Sequence, residues 1–173
     1  MKFAIQKVFL FFSLFVCLFF GVGSSSVWAQ NPFGPPLGGG MGPTTERESL
    51  HMNTIGAYSA GFVLQSFGYI GVLADVLSQN VYEPDVVRSM LMETVSFLSN
   101  ANQQLILYQE KNIKMGQADQ QFINGISDII KDLTAEAEAL AAFAQSHAKA
   151  DLDSFKASRE KAWEGIKKTL GVS

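Results

Sequence analysis

The reading of one stretch, Leu50–Leu77, "LHMNTIGAYSAGFVLQSFGYIGVLADVL", decides the fold. Between Glu48 and Asp75 it carries no Asp, Glu, Lys or Arg. Such a segment is either a membrane-spanning helix, which needs about 20 predominantly apolar residues, or a helix buried in a soluble bundle. Small residues suit both, because they let helices approach closely in lipid as well as in a core. Gln65 argues against lipid, and so do Tyr58 and Tyr69, which lie inside the stretch and not at its ends. One row, Met52, Ile55, Ser59, Phe62, Ser66, Tyr69, Leu73 and Val76, alternates bulky and small at helical spacing, while Gly56, Gly61, Gly68 and Gly71 lie off it. The segments that follow are amphipathic and need a cover. The expectation is therefore a central core helix.

Those segments read as helix throughout. Val87, Leu91, Thr94, Leu98, Ala101, Leu105 and Tyr108 recur at spacings of four and three, as do Ile126, Ile130, Leu133, Ala137, Leu140, Ala144 and His147. This is the seam of helices packed at shallow angles. Folding the two rows antiparallel about Gly116 pairs Leu105 with Ile130, Ala101 with Leu133, Leu98 with Ala137, Thr94 with Leu140 and Leu91 with Ala144. From Ala101 onward each layer sets a large residue against a small one, as dense cores require. A last helix, "DLDSFKASREKAWEGIKKTL", turns Leu152, Phe155, Ala162, Trp163, Ile166 and Leu170 to one side. Lys156, Arg159, Lys161, Lys167 and Lys168 lie among Glu160 and Glu164 on the other. That pattern fits a solvated face with helix-stabilising charges, in preference to an interfacial membrane helix.

The sequence thus predicts an all-α protein, an antiparallel up-down four-helix bundle over residues 44–173, with helices at about 45–78, 84–115, 117–149 and 151–170, the fourth shortest. Thr45-Glu46-Arg47-Glu48 matches a capping box, Pro84 suits a first helical position, and Asp151 is a good cap for the fourth helix. Ala148-Lys149-Ala150 contains no breaker, so a continuous third and fourth helix competes with two separate ones.

The chain ahead of the bundle has two parts. "MKFAIQK" carries Lys2 and Lys7, "VFLFFSLFVCLFFGV" is an apolar run of about 15 residues, and Val27 and Ala29 occupy the small-x-small positions before Gln30. Residues 1–29 therefore read as a signal peptide cleaved near Ala29, and the protein as secreted or periplasmic. The apolar run is short for an anchor, and "LFVC" lacks the small residues expected before a lipidated Cys17. Residues 30–43, with four of the five prolines and five glycines, form a disordered Pro/Gly-rich linker, since neither residue type suits a helix interior.

Removing residues 1–29 takes two of the 13 basic residues and none of the 16 acidic ones, leaving 11 against 16 and a net charge near −5. That balance argues against nucleic-acid binding, which relies on clustered Lys and Arg. The only Cys, Cys17, goes too, so the exported chain has no disulfide, thiolate nucleophile or Cys ligand.

No catalytic constellation emerges. His51 and His147 fall at opposite ends of helices over ~40 Å long, no Glu-x-x-His pair exists for a di-iron site, and no Cys-x-x-Cys-His for attached haem. "GGGMG" lies in the linker and opens no strand-helix unit. Glu136 and Glu138 read as solvated residues on an outer face. The expectation is a non-enzymatic interaction or structural module of the cell envelope or exterior, with no cofactor, no metal and an unidentified protein partner. Asn100, Gln103, Gln104 and Gln109 are candidates for an uncharged contact face. The alternative is a small-ligand or haem carrier using the bundle end near His147, Met90, Met92 and Phe143, with His147 in the core row opposite Val87. A third reading makes the first helix a membrane span, and membrane contact through the last helix is the less favoured route to a bilayer.

Overall fold

The computed structural model describes residues 43–111 and 115–172. The stretches expected to be a signal peptide and, apart from Pro43, a linker lie outside them. Four helices account for almost every described residue: α1 (Pro43–Ser78), α2 (Pro84–Lys111), α3 (Gln117–Ser146) and α4 (Lys149–Leu170). Among the described residues there is no strand. The protein is all-α, as the periodicity requires, and α4, at 22 residues, is the shortest helix.

The helix boundaries follow from local chemistry, with corrections. α1 starts at Pro43, where the missing N–H of proline costs nothing, two residues ahead of the expected Thr45. α2 starts at Pro84, with the Glu83 carbonyl accepting from Val86 and Val87 N–H. It is described as far as Lys111, and Met115, the expected last residue, is not helical. α3 and α4 are separate. His147 takes a left-handed conformation at φ 52° and donates its backbone N–H to Phe143 O at 2.8 Å, which ends α3. Ala148 then precedes α4, and Asp151 sits in the first turn, where its side chain bonds Ser146 Oγ. No Gly or Pro marks this break, so the sequence left it open. Gly171 closes α4 at φ 68° with its N–H on Lys167 O, a conformation glycine adopts without cost.

Helix directions follow from named contacts. Met52 and Phe62 of α1 meet Tyr108 and Phe97 of α2, so numbers rise along one helix as they fall along the other. Gln109 bonds Asn124, and Asn102 bonds Ser127, which gives the α2–α3 hairpin the same sense. Gln109–Asn124 lies within two residues of the expected pairing, whereas Asn102–Ser127 departs from it by about five positions. Across α3 and α4, Gly125 faces Thr169, Gly165 faces Ile129, and Asp132 pairs with Lys161.

The central helix is α3, which corrects the expectation for α1. α3 buries Ile126, Ile130, Leu133, Ala137, Leu140 and Ala144, the predicted seam, and also Ile123, Ser127, Ile129, Glu136 and Ala141. A helix with neighbours on several sides needs a wider buried arc than one seam provides. α1 buries a single face, Met52, Ala60, Val63, Ser66, Ile70, Leu73 and Leu77. That face is rotated slightly from the predicted row, since Ile55, Ser59, Phe62, Tyr69 and Val76 are only half-buried. The opposite side of α1 is open, with Leu50, Tyr58 and Val72 more than half exposed.

Candidate functional site

The residues singled out at the α3 end differ in exposure and direction. His147 is exposed, not in the core row, because the left-handed turn carries it past the last helical position; Val87, its expected neighbour, is fully buried. The His147 ring makes an edge contact with Phe143 at 6.0 Å. Met90 packs half-buried against the core, whereas Met92 is exposed. Two positions apart on a helix is about 200°, so these two thioethers point away from each other. Among the described residues no three His, Cys, Asp or Glu side chains are grouped to hold a metal. His51 is exposed near the start of α1.

The structure instead assembles a polar cluster that the sequence reading missed. Glu136 is fully buried, while Glu138, the other residue expected on the outer face, is exposed. The difference is angular: Glu136 continues the row Gly125, Ile129, Asp132 that faces α4. Arg159 of α4 donates from Nη1 to Glu136 Oε1 at 2.5 Å and to the Phe67 carbonyl of α1 at 3.3 Å. Its guanidinium carbon lies 4.0 Å from the centre of the Phe67 ring, a cation–π geometry. Phe67 stacks in turn on Trp163, with centroids 5.4 Å apart. Gly71 completes the cradle, since a Cβ there would lie 2.7 Å from Arg159 Nη2. One guanidinium therefore ties α1, α3 and α4 together.

The cluster is under electrostatic tension. Glu136 Oε2 is buried and has no hydrogen-bond partner. Burial pushes the Glu136 carboxyl up to about 7, and the opposing pull of Arg159, through its hydrogen bond and its charge, does not offset it. A cation 23 residues away on another helix leaves no sequence signature. The only hint was a Glu among alanines, "TAEAEALAA", where one carboxylate is more than the apolar surroundings solvate.

A second feature is a surface. α1 has no Asp, Glu, Lys or Arg between Glu48 and Asp75, and α2 has none between Glu93 and Glu110. The contacts Phe62–Phe97 and Met52–Tyr108 set these two uncharged lengths side by side. Tyr58 is 78% exposed and Phe97 63%, and Asn100, Gln103 and Gln104 are exposed on α2. Gln109 is spent on Asn124. A Cβ added at Gly61 or Gly68 would meet nothing within 4 Å, so the outer side of α1 is shallow and unobstructed. By length and composition Leu50–Ser78 is apolar enough to cross a membrane. The ionised groups gather on α3 and α4, in pairs such as Asp128–Lys131, Asp132–Lys161 and Glu164–Lys167.

No protein-family model, curated protein or solved structure matches this chain.

Proposed function

We propose that this is an exported, non-enzymatic helical-bundle protein that works by presenting its uncharged α1–α2 side to a protein partner at the cell envelope or exterior. One observation carries the reading: large apolar and aromatic side chains, Leu50, Tyr58, Val72 and Phe97, stand exposed on two adjacent helix lengths without charged residues. Exposed aromatic side chains where charge is depleted fit the composition of protein-interface centres. The named contacts between helices support an up-and-down antiparallel bundle as its scaffold. The signal-like residues 1–29 and the Pro/Gly-rich linker support export and a flexible attachment at the start of α1.

A photo-activatable residue placed at Tyr58 or Phe97 tests the surface in the native host. The expected result is a discrete protein adduct from both positions and none from Glu160 on the charged side. Adducts with lipid alone, together with a chain that resists carbonate extraction, would replace this reading with the one in which α1 enters the membrane.

The haem or small-ligand alternative retains one direct test. Haem titrated onto the protein should leave the Soret region unshifted. A one-to-one complex lost in His147→Ala would establish the carrier reading instead.

A further inference from the structure

Among the described residues Glu136 is the one ionisable side chain that is fully buried, and nothing in the proposed contact surface makes use of it. Its partner Arg159 is the polar link by which α4 and α3 hold α1. That link combines the Phe67 carbonyl, the Phe67 ring and the open side of Gly71, all on α1. We propose that the Glu136–Arg159 cluster is a pH-dependent clasp: the uncharged carboxyl favours the closed bundle, and the ionised carboxyl favours a state in which α1 lifts and water reaches Oε2.

The orphaned oxygen sets the direction. An ionised carboxylate has acceptor sites on both oxygens, and only Oε1 is served. In the closed bundle Oε2 is buried away from bulk solvent. A neutral carboxyl has less to lose, because burying a charge with one of its two oxygens unserved costs more than burying the neutral group in the same place. The groups that face Glu136 give no competing titration. α4 contributes Arg159, and α1 contributes no ionised residue between Glu48 and Asp75. Asp132, one turn earlier on α3, is paired with Lys161 of α4. Glu93 of α2 lies instead by Tyr69, whose hydroxyl is raised first by burial and then by Glu93 and Tyr82. Burial holds Glu136 at about 7 in the closed bundle, and hydration in the open one returns it toward the ordinary 4.5. The closed state therefore binds the proton more tightly, and acid closes the clasp.

Hydrogen exchange of the folded protein, resolved by peptide and corrected for intrinsic amide rates, reads this directly. Between about pH 5 and pH 8 the opening constant of α1 amides around Phe67–Leu73 should rise at least about tenfold. Amides of α2 and α3 near Asn102 and Ser127, which open only with global unfolding, should keep a lower opening constant than those of α1 at every pH. Glu136→Gln, neutral at every pH, should keep α1 closed at pH 8 as the wild type is at pH 5. Opening of α1 that is independent of pH in the wild type would overturn the proposal. So would an unchanged rise in Glu136→Gln, or opening constants at pH 8 that are the same for α1 as for α2 and α3, which is global unfolding.

Discussion

Arg159→Met removes the guanidinium while keeping a long apolar side chain over Phe67, and its cost depends on pH in a way the geometry fixes. Breaking a buried pair by deleting one partner typically costs about 3–5 kcal/mol, because a charge is stranded. Here the loss is bounded, since Glu136 already titrates at about 7 and can take up a proton instead. At pH 8 that uptake adds only ~1.4 kcal/mol, the value of one pH unit. The contacts of Arg159 itself add ~0.5–2 kcal/mol for the Phe67 ring and ~0.5–1.5 kcal/mol for the Phe67 carbonyl. The expected loss is roughly 2–5 kcal/mol at pH 8 and ~1.4 kcal/mol less at pH 5, where the carboxyl is already neutral. Urea unfolding followed by far-UV circular dichroism at the two pH values measures both. Arg159→Met combined with Glu136→Leu should recover most of the loss, because apolar replacement of a whole buried pair is often neutral or better. A single variant as stable as wild type at pH 8, or a double variant no better than the single, would refute the account of the cluster.

Other outcomes follow from the same contacts. Since the folded carboxyl of Glu136 is raised from 4.5 to about 7, the native chain binds more protons than the unfolded chain between those values. Stability should thus be highest near pH 5 and fall as pH rises through 7, by up to about 3 kcal/mol, in urea titrations across that window. In Glu136→Gln this slope should vanish. Leu98→Ala, at a fully buried position, should cost about 2–5 kcal/mol, and Ser66→Leu, on the buried face of α1, about 1–3 kcal/mol by overpacking; equilibrium unfolding decides both. Gly61→Ala and Gly68→Ala, in open helical positions, should stabilise by roughly 0.5–1 kcal/mol. Gly71→Ala should lose that gain by displacing Arg159, which a thermal melt of the three variants compares.

Much of this molecule was legible in its residues, because helix periodicity is a local property. The seams Val87–Leu98 and Ile126–Ala144, the start of α2 at Pro84 and the end of α4 before Gly171 each follow from spacing or backbone chemistry that a few neighbouring residues settle. The absence of charge from Leu50 to Ala74 is likewise written in the sequence, and with it the candidate contact surface on α1. What only the tertiary structure decided is how many sides of each helix find a neighbour. α1 looked central because it is apolar all round, yet it is flanked on one side, so Tyr58 and Val72 face outward. α3 is flanked on several, so a second row is buried beside the seam and takes Glu136 with it. The break at His147 was equally hidden, since a left-handed residue without glycine is held there by the packing of α4 back onto α3 and not by its own preference. A carboxylate is solvated or stranded according to what lies across from it. Glu136 lies 23 residues from the guanidinium that meets it, and neither neighbourhood by itself specifies the meeting.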